Sequence, residues 1–460
     1  MRFVVAGGGV AGLACALAVA RAGHRAVVLE RDAVPPGIAA GDAFGVTRRG
    51  IPHYRQPHAL LPRGRKVLGE LAPDVLELLL DAGAEPQDLA AGLRGPPQPG
   101  DEDLVYLWAR RPVIEWALRR AATSEPGVEL RGGTQVTGIL RAEDGRSAGG
   151  VTVAGAEPVR GDVVVDALGR YRCPAGWPRA GSEPTDSGAI YFCRYFRLAD
   201  GAEHLAWPLL NPRGDLGYLG FNTFRGDNRT YAVILLAPAA DRELRVLRDE
   251  RAWMGACAAI RPLDRMTSPG HGTPITEVMP MGGLMNTARF ADPGLRRVVT
   301  VGDALCHTDP AFAYGVSFAL VHAQALATAA GDAAGRDDVR DRFMAAAASE
   351  ARERHGLACA ADAARSRRWA GEPLDVGRAD GCYELFSFAT ALAAAPHDDA
   401  VLRSTIRRIG LLDRTARFDD DTALHARIEA IFAGLIQAPP PPPGPPRPEL
   451  LARIHGAVMA

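Results

Sequence analysis

Gly7, Gly9 and Gly12 stand at GxGxxG spacing in the opening stretch "RFVVAGGGVAGLACALAVARAGHRAVVLERD". The chemistry that this spacing serves is the grip on a diphosphate. Gly7 permits a tight turn, Gly9 lets the backbone approach a pyrophosphate, and Gly12 lets the following helix pack close to a sheet. Val10 and Ala11 open that helix, whose first amides and positive dipole end favour an anion. Glu30 lies 18 residues beyond Gly12, with Arg31 after it. An acid at this distance is placed to accept hydrogen bonds from ribose hydroxyls.

A second group of residues comes about three hundred positions later. In "VGDALCHTDPAFAYGV" (301–316), Asp303 closes an apolar run, and Pro310, Gly315 and Val316 follow. An NAD dehydrogenase seldom returns to its nucleotide so late. In Rossmann-type FAD proteins, a late strand brings an Asp to the ribityl and pyrophosphate region. The helix after it turns its positive end toward the flavin, where it stabilises the reduced anion. Taken together, the two motifs predict FAD. The plainer alternative for Asp303 is a helix N-cap.

These residues need elements to carry them. The pattern predicts a strand over 3–6, an Ala-rich helix over 10–22, a strand over 24–29, a late strand over 297–301 and a helix from about Tyr314. Residues 180–290 alternate in period two ("GAIYFCRYFRL", "LGYLGFNTF", "RTYAVILLA"), with turn signals between the runs. Of the aromatic residues Tyr191, Phe192, Tyr195, Tyr218, Phe221 and Phe224, about a third are expected to face a cavity and the rest a core. Residues 337–435 read as Ala- and Arg-rich helices, and "APPPPPGPPRP" (438–448) as a polyproline II arm wrapped on the chain's own surface.

Composition narrows the function classes. The 460 residues are long enough for two or three domains, and a net charge of −1 gives no basic excess for nucleic acid. Lys66 is the only lysine, which argues against Schiff-base chemistry. The seven cysteines (Cys15, Cys173, Cys193, Cys257, Cys306, Cys359, Cys382) show neither CxxC nor CxxxC spacing and suggest reduced thiols in a cytoplasmic protein. No metal site is suggested. No apolar run approaches a membrane span, and the first residues read as a strand and not as a signal peptide.

With these motifs in view, the chain resembles FAD-dependent monooxygenases and oxidoreductases of the para-hydroxybenzoate hydroxylase superfamily. Actinobacterial secondary-metabolite members, polyether-type epoxidases among them, look most similar. Further segments carry the resemblance: "RRGIPHYRQPHALLPRGRKVLGEL" (48–71), "ARRPVIEWALRRAA" (109–122), "GDVVVDALGRYR" (161–172) and "PITEVMPMGGLMN" (274–286). The resemblance implies an α/β fold: a Rossmann-type FAD-binding domain of the glutathione-reductase kind, from 1–75, 98–179 and 291–335. A mixed β-sheet substrate domain (180–290) is inserted, and a helical region with a Pro-rich tail (336–460) closes the chain. It implies cofactor contacts from Arg111, Val136, Asp166 and Gly169, with Arg170 also in the motif, besides those named above.

The activity implied is insertion of oxygen into an apolar or aromatic natural-product intermediate, by hydroxylation or epoxidation. It would proceed from O2 through a C4a-hydroperoxide of reduced FAD. Side chains then contribute a dry pocket and a few anchors. His58, His307 and Tyr314 are the candidates closest to the chemistry; His53 and Arg55 are further anchors, and Phe312 is a candidate to line the ring. "DALGR" lacks the Asp-Gly pair of single-component hydroxylases, so electrons come from NAD(P)H either directly or through a separate flavin reductase. "HTDPAFAYGV" is similar to flavin-dependent halogenases, which use a lysine near the substrate. Lys66, in an amphipathic stretch, reads instead as a surface residue, and no WxWxIP stretch occurs. Halogenation and a dehydrogenase or ene-reductase activity without oxygen insertion are the alternatives.

Overall fold

The computed structural model describes the chain except residues 36, 171–173, 175, 178–180, 182, 208, 292–293, 373–389, 438–440 and 460, and the side chain of residue 436. Cys173, Cys382, the last two residues of "GDVVVDALGRYR" and the start of the proline arm lie outside the described residues.

The glycine motif belongs to a five-stranded parallel sheet. Its order is Val298–Thr300, Val163–Asp166, Arg2–Ala6, Arg25–Glu30 and Val128–Gly132, every pairing parallel. Both faces are covered, so the central strands are apolar without alternation: Phe3, Val4, Val5, Val163, Val164 and Val165 are all fully buried. One face carries the helices Val10–Arg21 and Tyr314–Asp332. The other carries an antiparallel sheet of Val136–Arg141, Ala148–Val153 and Ala156–Arg160, which the sequence reading did not distinguish. The first helix ends at Arg21, one residue short of the expected limit, with Ala22 as its cap.

The sheet within 180–290 has the order Arg213–Asp215, Gly220–Arg225, Thr230–Pro238, Ala189–Leu198, Gly272–Pro274. Met279–Met281 also pairs with Ala189–Leu198. It was expected to be mixed, yet every pairing is antiparallel. Within Arg213–Pro238 the reason is local: short connections join the three neighbouring strands, and Asn228 and Arg229 take φ of 52° and 57° in the turn between the last two. A two-residue turn of this hand permits only an antiparallel pair.

Alternation splits this sheet into two faces. Phe192, Phe196, Phe221, Val233 and Leu235 pack with Trp253 and with Leu450, Leu451 and Ile454 from the last helix, Arg447–Met459. Tyr191, Phe224, Ile234 and Leu236 face the other way. Beyond the sheet, the 31-residue helix Val339–Trp369 and the helices Asp399–Ile409 and Thr422–Ile436 supply the expected helical C-terminal region. The described part of the proline arm lies on the chain's own surface. Arg261 N–H donates to the Pro443 carbonyl at 2.6 Å, and the Tyr218 hydroxyl to the Pro445 carbonyl at 2.6 Å. Among the described residues, no helix is long and apolar enough to cross a membrane.

Candidate functional site

The glycine loop is set by close contact. Gly7 has φ +105°, and a Cβ there would lie 2.4 Å from the Ala167 carbonyl oxygen; one on Gly12 would lie 1.9 Å from the Gly7 carbonyl oxygen. Gly9 caps the helix without such a contact, so its backbone stays open to the cavity. Glu30 does more than wait for a ribose. Its Oε2 accepts from the Gly8 amide at 2.8 Å and from Arg48 at 2.9 Å, and its Oε1 accepts from the Asp32 amide at 2.9 Å. The carboxylate therefore fixes the loop from the strand end.

Around it sits a buried ionic cluster. The Arg48 side chain is 1% exposed and lies 2.9 Å from Glu115 as well as from Glu30. Arg119 donates to the Gly8 carbonyl at 2.9 Å and stands 3.7 Å from Glu115. Arg111, at the start of the helix Arg111–Ser124, approaches Glu115 only to 3.9 Å, and its Nε and Nη1 are buried without a hydrogen-bond partner. Burial lowers the Arg111 pKa, and Glu115 and Asp303 oppose that effect. Buried guanidinium N–H groups left without acceptors are costly unless an anion meets them. With the open Gly9 backbone beside them, these residues fit the diphosphate of FAD.

At the other end, Gly302 takes φ +58° and gives its amide to His322 Nδ1 at 2.9 Å. This anchors the turn that presents Asp303. The Asp303 carboxylate lies 3.3 Å from His307 Nδ1 and 3.8 Å from His53 Nε2. The Arg170 guanidinium hydrogen-bonds His307 Nε2, so the ring accepts there and carries its proton on Nδ1, toward Asp303. Burial raises the Asp303 pKa, but His307, His53 and Arg111 together hold it far below the ordinary carboxylate value. The His53 and His58 rings stack at 5.9 Å. Burial first, and Arg111 second, depress both: His53 well below its ordinary value and His58 to about 4. His58 Nδ1 donates to the Gln56 carbonyl at 2.8 Å. Near neutral pH both rings are uncharged.

One cavity of about 910 Å³ joins these two ends to the sheet. Gly7, Gly9, Val10, Ala11, Glu30, Arg31, Arg111, Val136, Gly169 and Arg170 line it, as do His53, His58, Asp303, His307, Pro310, Tyr314, Gly315 and Val316. Its far wall is the sheet face of Tyr191, Asn222, Phe224, Ile234 and Leu236, together with Met281, Leu284 and Phe318. Tyr191 and Phe224 are the two of the six aromatic candidates that reach it.

Several candidates lie elsewhere. Asp166 is fully buried under the loop and accepts the Leu168 amide at 3.2 Å; it stabilises the turn and does not line the cavity. Gly12 likewise lies behind the loop. Phe312 stacks on Tyr314 and packs into the core, because the left-handed Ala313 turns the chain between them. Arg55 points away, donating to the Phe44 carbonyl at 3.1 Å. Lys66 is 45% exposed and pairs with Asp103 at 2.6 Å, outside the cavity. The sequence reading missed Arg48, Glu115, Arg119 and His322. Only their three-dimensional convergence marks them, since a lone Arg or His on a helix carries no spacing signal.

Comparison with known proteins agrees with this geometry. Residues 2–94 match the family model described as FAD dependent oxidoreductase. None of the curated proteins matches the sequence. Among solved structures, the chain is similar to pqsL, a probable FAD-dependent monooxygenase from Pseudomonas aeruginosa, with 20% identity and a TM-score of 0.59, covering 81% of this chain and 98% of that one. The flavin-dependent brominase Bmp2 aligns at 18% identity and TM-score 0.62, covering 95% and 98%. A tetrameric form of 2-methyl-3-hydroxypyridine-5-carboxylic acid oxygenase aligns at 17% and 0.55, covering 80% and 92%. At such identities the likeness is one of fold. The fold is that of the FAD-dependent oxidoreductases, and residues 2–94 carry that family's sequence pattern.

Proposed function

We propose that the protein is an FAD-dependent monooxygenase that hydroxylates or epoxidises an apolar or aromatic small molecule, a natural-product intermediate. The observation that carries this reading is the single cavity running from the glycine loop, past Asp303 and the start of the helix Tyr314–Asp332, to an apolar sheet face. Gly9, Val10, Ala11 and Arg111 would hold the diphosphate, Glu30 and Arg31 the adenosine side, and Asp303 the ribityl hydroxyls. FAD, when bound and reduced, supplies the electrons that activate O2. The chain's own work is to hold the substrate beside it and to keep water out, which the apolar wall does. Neutral His53 and His58 add no charge to that space, and His307 keeps Asp303 oriented. We further read residues 1–75, 98–179 and 291–335 as the cofactor-binding unit, and the unpaired cysteines Cys15, Cys193, Cys257, Cys306 and Cys359 as fitting a reducing compartment such as the cytoplasm.

Halogenation is the less favoured reading. The chain's only lysine lies on the surface, although "HTDPAFAYGV" keeps its similarity to halogenases. Anaerobic mixing with NADPH, followed at the oxidised-flavin band near ~450 nm, tests the reading. Rapid bleaching means one chain performs both half-reactions. Reduction by dithionite alone means a separate reductase supplies the electrons. Product analysis under labelled O2 then separates oxygen insertion from dehydrogenation. Absence of any flavin spectrum would overturn the proposal.

A further inference from the structure

Tyr191 is the polar group at the centre of the sheet face. It stands on the strand Ala189–Leu198, lines the cavity, and donates its hydroxyl proton to Asp309 Oδ1. Asp309 cannot turn away from it. Its Oδ1 also accepts the Ala311 amide at 2.8 Å, its Oδ2 accepts from Arg365 at 2.8 Å, and its own amide donates to Asn286 Oδ1 at 2.7 Å. Behind it, Asp362 lies 2.8 Å from the same Arg365 and accepts from Asn286 Nδ2 at 2.7 Å. Two buried carboxylates thus share one guanidinium, and they need one further proton between them.

The environment assigns that proton. Burial raises Asp309, but Arg365 overrides it and keeps the group below the ordinary carboxylate value. Burial and the charge on Asp309 push Asp362 up to about 8. Burial and then Asp309 raise Tyr191 well above its ordinary value. At neutral pH, Asp309 is the acceptor, Asp362 holds the shared proton, and the Tyr191 hydroxyl proton is committed to Asp309. Tyr191 therefore meets the cavity with lone pairs only, made more basic by the charged bond on its other side. The side chains around it on that face, Phe224, Ile234 and Leu236, are apolar; Asn222, on the next strand but one, already accepts the Thr223 amide at 2.8 Å through its Oδ1.

We infer that Tyr191 selects the substrate: a neutral molecule with an apolar frame and one O–H or N–H donor, which the Tyr191 oxygen accepts. A carboxylate at the same place would face the Tyr191 lone pairs and the Asp309 charge behind them. The assignment rests on the reading that this cavity takes the substrate beside FAD.

Calorimetric titration of the FAD-loaded protein with 2-naphthol, 2-methoxynaphthalene and 2-naphthoate tests it at neutral pH. The three ligands share a frame and differ as donor, non-donor and anion. The naphthol is expected to bind about tenfold more tightly than either of the others. In Tyr191→Phe the naphthol and its methyl ether should come within about twofold of each other. Asp309→Asn, which removes the charge behind the Tyr191 hydroxyl, serves as the second variant and should shrink the same ratio. Equal affinities in the wild type, a ratio preserved in both variants, or no binding of any of the three would overturn the inference. The flavin absorbance of the same sample separates the two claims. Flavin present without donor preference sinks this inference alone, whereas its absence sinks the functional reading.

Discussion

His322 and Gly302 are bonded across 20 residues: the Gly302 amide donates to His322 Nδ1 at 2.9 Å, both groups being buried. The imidazole thus sits behind the turn that aims Asp303, on the helix whose first residues line the cavity. His322→Leu leaves a buried N–H without an acceptor, at a cost of about 1–3 kcal/mol. Flavin affinity should fall with it, by about tenfold, in a fluorescence titration. Asp303→Ala should weaken FAD binding by at least as much while denaturant unfolding changes less. Unchanged affinity in both variants would remove the turn from the cofactor site.

Arg111 is a buried cation on the cavity wall whose Nε and Nη1 have no hydrogen-bond partner. Arg111→Met keeps its stem and removes the charge, so FAD affinity should drop by about tenfold or more, as expected for losing charge-assisted hydrogen bonds. Folding should suffer little, because the wild-type guanidinium is itself incompletely paired. Ultrafiltration of the two proteins with added FAD would show the difference; equal retention would place the diphosphate elsewhere.

Acid should destabilise the folded chain through its neutral histidines. Burial, followed by a nearby arginine, holds both His58 and His322 at about 4, against an ordinary value of 6.5. Between those values the unfolded chain binds more protons. The stability tied to these rings is therefore fully present above ~6.5 and is lost as pH falls toward ~4. Each contributes of order 1–2 kcal/mol to the loss between ~pH 7 and ~pH 5. Urea unfolding across that range measures it, and His58→Phe should flatten the dependence. A slope identical to wild type would mean that the His58 pKa does not change on folding.

Lys66→Met separates oxygenation from halogenation. Lys66 forms an exposed pair with Asp103, of a kind that contributes roughly 0–1 kcal/mol. The variant should therefore turn over at the wild-type rate with an unchanged product mass. Loss of turnover with retained flavin would revive the halogenase reading, since no other lysine exists in the chain.

Much of the cofactor end was legible because its constraints are local. Gly12 is demanded by a contact within one turn, with the Gly7 carbonyl, Gly7 by its own positive φ as well as by Ala167 on the neighbouring strand end, and Glu30 by the length of a single helix and strand. The helix after Asp303 was legible for the same reason, its first residue falling at Tyr314 as the pattern predicts. The substrate end was legible only as alternation. Which alternate residues face the cavity depends on which side the helix Arg447–Met459 covers, and no local pattern says so. Asp309 read as part of a loop motif. Its partners Tyr191, Asn286, Asp362 and Arg365 come from three distant segments, and their meeting is a property of the fold alone.

The covering of the sheet's outer face by Leu450, Leu451 and Ile454 bears on the order of events at the ribosome. The core around the parallel sheet and its glycine loop reaches no further along the chain than Ala351, in the first half of the helix Val339–Trp369, and it can assemble while the chain is still being made. The substrate wall cannot complete its packing until Ile454 has emerged. A nascent chain would thus be competent to hold nucleotide before it possesses a sealed reaction chamber, and the interval vulnerable to aggregation lasts until Leu450, Leu451 and Ile454 have emerged.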